Sequence, residues 1–141
     1  MSLHHPAGLE TIWLIRHLVV SLSSSRPVPP HVARTLHARA LTMDDALLAL
    51  SELSRVMPRP IRVGPPCSSA WTSDESHIAN AAAALAGDDT TPVAAAIAAL
   101  AVPRGLTGAQ SRRALAAITR LAGHGPSLRD RCSRGNGGVA I

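Results

Sequence analysis

Seven histidines, two cysteines and nine carboxylates are the side chains of this chain that could serve as bases, nucleophiles or metal ligands. Their spacing restricts what they can do. Cys67 and Cys132 form no CxxC pair, which leaves neither a zinc half-site nor a redox dithiol. Cys67 falls at the mouth of a loop with no base attached to it in sequence, so a small buried residue is a plainer reading than a reactive thiol. His31 and His37 lack the i, i+4 spacing that sets two imidazoles over one ion, and neither a metal nor a cofactor is assigned. Asp44-Asp45 and Asp88-Asp89 fall where helix starts favour negative charge, as caps and not as catalytic carboxylates. Read by themselves, His17 is a helix-face or core-edge histidine, His124 is a turn residue between glycines, and His4-His5 belong to a loose terminus. The arginines offer a different chemistry: a helix opening at Thr107 would present Gln110, Arg112 and Arg113 to a duplex, as a recognition helix does.

The elements that position these groups follow from apolar runs and caps. Thr11 to Ile15 is a five-residue apolar run rich in β-branched and aromatic types, the pattern of a strand buried on both faces, with a buried helix as the rival. Ser23 to Pro30 is a loop of serines and prolines, and a helix follows from about Pro30 through Val32, Leu36 and Ala40. Thr42 with Asp45 has capping-box form, with Leu47, Leu50, Leu53 and Met57 at helical spacing behind it and Pro58 and Pro60 as the stop. Ile61 to Val63 reads as a brief strand entering a loop. Thr72 with Glu75 caps a further helix that ends with Gly87 in the C′ position, and Thr91 caps another with Pro92 at its first position. Thr107 with Gln110 opens the next, and Gly137 to Ile141 reads as a last short strand. Strands interleaved with helices give an α/β fold with a small, open, mostly parallel sheet; the same runs taken as helices give an all-α bundle.

A single domain over 1–141 is expected, with 1–8 and 133–137 flexible. With 46% apolar and 16% charged residues the composition excludes a largely disordered chain. The apolar run from Ile12 to Leu22 is interrupted by Arg16 and His17 and is too short to span a bilayer, and no basic flank of a signal peptide precedes it. A soluble protein of the reducing cytoplasm, without a membrane partner, is the expectation. The net charge of +5 is uneven: residues 99–141 hold seven arginines against Asp130 alone, giving +6, while the first 98 carry seven arginines and eight acids, giving −1. That asymmetry invites a polyanion, although aromatic side chains for base stacking are missing apart from Trp13 and Trp71.

Thr11 to His17, TIWLIRH, resembles the first strand and Arg-His motif of the histidine phosphatase superfamily. Cys67 to Thr72, CSSAWT, with Glu75 and Ser76 behind it, is similar in placement to that family's second strand-to-loop motif. Leu121 to Leu128, LAGHGPSL, resembles the Gly-His-x-Pro segment of its short phosphohistidine phosphatases, and the closing GGVAI their final strand. The departures are plain: Leu18 stands where the family has a small residue, Ser69 replaces a proline, and no arginine lies between Arg62 and Arg104 to complete the phosphate clamp.

The resemblance implies a degenerate domain on an α/β sheet. In it His17 would be the nucleophile that forms a phosphohistidine, Arg16 would hold two phosphate oxygens with its planar fork, and His124 would donate to oxygens gaining charge. The helix starting near Thr72 would offer N–H groups to the anion, and Arg62 or Arg104 would stand in for the missing arginine. The ligand implied is a phosphorylated or other anionic small molecule, or a phosphoprotein. Two other functions stand beside this one: a non-catalytic binding or adaptor domain on the same scaffold, and an arginine-rich, all-helical nucleic-acid binder.

Overall fold

The computed structural model describes residues 6–87 and 91–123, and among them it holds six α-helices and no strand. They are α1 (Pro6–Ser24), α2 (Pro30–Ala38), α3 (Met43–Val56), α4 (Ser73–Ala86), α5 (Thr91–Ala101) and α6 (Gly108–Ala122). The open parallel sheet is thereby overturned in favour of the all-α alternative. The last strand expected at Gly137 to Ile141 lies outside the described residues, as does the flexible segment 133–137. Pro6 to Gly8, expected in the flexible start, form the first turn of α1.

The reason for the correction lies in α1. Gly8, Thr11, Ile12, Leu14, Ile15, Arg16 and Leu18 are all buried, a set that wraps most of the helix circumference. The helix packs against α2, α3, α4 and α6. A helix apolar nearly all round has no amphipathic period, so its sequence reads as the continuous run of a buried strand. Packing against four helices outweighs the β-preference of Thr11, Ile12 and Ile15, which amounts to less than about 1 kcal/mol per residue. At Gly8 the backbone of α1 meets α4: a Cβ there would lie 2.9 Å from the Ala79 carbonyl oxygen and 3.2 Å from Ala79 Cβ.

The shorter helices follow their local signals. Thr72 and Thr107 each accept from the N–H three residues on, while Glu75 and Gln110 reach back to the cap backbone, completing two capping boxes. Thr42 accepts from the Asp45 N–H at 3.0 Å. α2 stops at Ala38, two residues short of Ala40, which takes φ 59°. Gly87 ends α4 at φ −93°, without the left-handed turn a C′ glycine would use, whereas Gly123 closes α6 at φ 79°. Residues from all six helices contribute to the core, around Leu18, Leu53, Ile78, Leu100, Ile118 and Leu121. Ile61 and Val63, expected in a strand, pack against it from an irregular segment between α3 and α4. No described helix is long and apolar enough to cross a membrane.

Candidate functional site

Arg16 points from α1 into the irregular segment between α3 and α4, and it is 4% exposed. Its Nε donates to Glu75 Oε2 at 2.7 Å and its Nη2 to Glu75 Oε1 at 2.9 Å, a bidentate pair. Nη1 donates to the carbonyls of Pro65 and Ser68, and Nη2 also to that of Ala70 at 2.7 Å. A guanidinium has five N–H donors, and all five are engaged. Glu75, fully buried, also accepts from the N–H of Thr72 at 2.8 Å and of Gly64 at 3.1 Å. Burial alone pushes the Glu75 carboxyl upward; the Arg16 hydrogen bonds and the two backbone donors outweigh it and hold it below the usual carboxylate range. Gly64 makes this approach possible, because a Cβ there would lie 3.1 Å from Arg16 Nη2. The arginine that the resemblance assigns to phosphate therefore holds the chain's own loop.

His17 is one residue further along α1, and neighbouring residues on a helix diverge by about 100°. Its ring faces α2: it stands edge-on to Trp13 at 5.1 Å and to His31 at 5.6 Å, with Trp13 and His31 5.2 Å apart. Burial and the nearby His31 lower the pKa of His17, favouring the neutral ring. The structure thus separates Arg16 from His17, and His124 lies outside the described residues. Nothing in the spacing of the histidines pointed to His31 as the neighbour of His17.

Two more arginines are spent in the same way. Arg39, just past α2, donates to Glu10 Oε1 from Nε at 3.0 Å and from Nη2 at 2.6 Å, and from Nη1 to Thr11 Oγ1 and the Leu121 carbonyl, so it joins α1 to the end of α6. Arg59 grips Asp74 with Nη1 at 2.9 Å and Nη2 at 2.8 Å and donates from Nε to the Val102 carbonyl. Asp74 is held below the usual carboxylate range by Arg59, against its burial, with help from the Arg62 N–H at 2.8 Å. The start of α4 thus carries its own carboxylates, Asp74 and Glu75, where an external anion was expected. Arg62 and Arg104, the two stand-ins for a missing clamp, are both exposed. Cys67, expected as a small buried residue, is an exposed free thiol.

The molecule is open elsewhere. Between α5 and α6 runs a groove of about 500 Å³ whose floor and walls are Val93, Ile97, Leu106 and Leu115, with Arg112 on its rim. Arg104 is exposed in the turn that enters it. Two arginines on the far flank of α6 face α3 instead: Arg113 lies 3.8 Å from Glu52 and Arg120 lies 3.1 Å from Asp45. No ion pair engages Arg104 or Arg112 among the described residues. No group of three or more metal-ligating side chains occurs among the described residues. No protein-family model, curated protein or solved structure matches the chain.

Proposed function

We propose that this chain is a non-catalytic helical binding domain whose α5–α6 groove takes an apolar segment flanked by acidic residues. The observation that carries this reading is the juxtaposition of an apolar floor with Arg112, which joins no ion pair among the described residues. From Thr91 to Gly123 the chain has four arginines and no acid, and α3 neutralises only the two on its own side. An apolar floor supplies affinity through area removed from water, and charge on the rim selects the partner.

A hydrolytic reading has less support: with every N–H of Arg16 engaged, no clamp remains beside His17. A duplex reading has less as well. Of its proposed readers, Gln110 is tied to the Thr107 N–H at 2.9 Å and Arg113 leans on Glu52. Of those readers Arg112 alone joins no ion pair among the described residues, and one phosphate contact contributes a log–log salt slope of only about −1.

The test is fluorescence anisotropy with a dye-labelled amphipathic peptide that bears leucine on one face and glutamate on the other. Saturable binding lost in Arg112→Glu is expected. Equal binding of a peptide bearing lysine in place of glutamate would overturn the reading, as would tighter binding of a DNA duplex with a salt slope steeper than about −4.

A further inference from the structure

α1 and α2 bring together two histidines that lie on different helices and are joined by no sequence motif. His17 of α1 and His31, at the second position of α2, stand with ring centres 5.6 Å apart. His31 is exposed and His17 half-buried, and neither imidazole has a hydrogen-bond or ion-pair partner among the described residues. We infer that His17 and His31 together bind a divalent late transition-metal ion, Cu²⁺ most tightly, with water completing its coordination.

The spacing of the rings suits one shared ion. Two imidazoles bonded at about 2.0–2.1 Å and at a tetrahedral angle place their ring centres about 5 Å apart. A small rotation of the exposed His31 side chain covers the difference, and the 89° tilt between the rings is no obstacle, because each imidazole on an ion turns about its own metal–nitrogen bond. Trp13 lies edge-on to His17 at 5.1 Å and tilted by 35° against His31 at 5.2 Å. Its bulk limits the turning of both imidazoles, and ligands already placed lose less freedom on binding. Coordination needs an unprotonated ring, the form that burial and the nearby His31 favour in His17. The donor set then selects the ion. Calcium and magnesium require oxygen ligands, and no carboxylate joins the two rings in a group of three among the described residues. Imidazole suits zinc, nickel and copper, and the order of affinity among them peaks at Cu²⁺. Bound there, the ion ties α1 to α2, whose buried residues are Val32 and Leu36.

Trp13 is also the reporter. The full chain carrying Trp71→Phe, in which Trp13 is the one remaining indole, is titrated with Cu²⁺ alone while its emission is followed. Saturable quenching at one ion per chain is expected, reversed by EDTA, with Zn²⁺ competing for the same site. His31→Gln, at an exposed position, and separately His17→Gln should each raise the dissociation constant by about tenfold or more, no less than the loss of an outer-shell contact to a metal ligand. His4→Gln combined with His5→Gln should leave it unchanged. Absence of saturable quenching, quenching that survives both His31→Gln and His17→Gln, or quenching that disappears with His4 and His5 would each overturn the inference.

Discussion

The junction of α1 with the start of α4 and the groove between α5 and α6 use the same side chain in opposite ways. At the junction, Arg16 and Arg59 meet carboxylates and carbonyls of their own chain until no donor of Arg16 is left over. At the groove, Arg112 stands exposed beside an apolar floor. A buried guanidinium must have its hydrogen bonds met inside the protein, since leaving a charge unpaired in the core costs several kcal/mol. An exposed one is hydrated and stays available to a partner. The availability of an arginine is thus decided by its burial and its neighbours, and a count of positive charge carries little of that information.

The contrast can be broken most severely at Arg16. Arg16→Met strands the Glu75 carboxylate and three carbonyls, and urea unfolding should report a loss of about 3–5 kcal/mol. A change under about 1 kcal/mol would mean that the junction is not a structural hub. Replacing both partners by apolar residues, Arg16→Met with Glu75→Leu, should recover much of that loss, because the unpaired charge is gone. Acid attacks the same place. Glu75 and Asp74 are held below the ordinary carboxylate range, so their stabilisation is complete above the unfolded value of about 4 and drains as pH falls through the native values. Unfolding free energy measured at descending pH should fall across that window in the wild type and less steeply in the double variant.

A smaller effect is expected at Gly64. Its Cβ would press on an Arg16 Nη2 already held by Ala70 and Glu75, so Gly64→Ala should cost about 1–3 kcal/mol in the same unfolding assay. Arg112→Glu should change stability by no more than about 0.5 kcal/mol, the range of surface substitutions, while abolishing peptide binding. A large destabilisation there would place Arg112 with the supporting arginines and erase the contrast. Smallest is the response of His17, which lies outside both regions. Its lowered pKa makes stability rise with pH between the native value and about 6.5, and His17→Gln should flatten that short slope.

What could be read from the sequence was what depends on neighbours three or four residues away. Thr42, Thr72 and Thr107 announce helix starts because a cap bonds within its own first turn, and five of the six helices can be anticipated near their observed limits. α1 was misread because its burial is set by four other helices and erases the period that would have declared it. The surroundings of Arg16 were hidden for a related reason. TIWLIRH places Arg16 beside His17, but Glu75, 59 residues later, takes the guanidinium away. One signal was available: a lone arginine inside an apolar run needs a buried acid, and Glu75 already stood in a cap that fixes its position. The groove left little trace, because Leu106 and Leu115 become its walls only when α5 and α6 converge.

The long separation between Arg16 and Glu75 also bears on how the chain is made. Synthesis delivers α1 before α4, and although α2 and α3 emerge in between, the side of α1 that faces α4 has nothing to pack against until α4 is made. Until then a cation is stranded in the middle of a greasy segment, and ribosome-bound intermediates that end before Glu75 should stay open and attract chaperones. Closure then comes late and over a large loop, so assembly around α1 should wait for the chain to pass α4 instead of proceeding helix by helix.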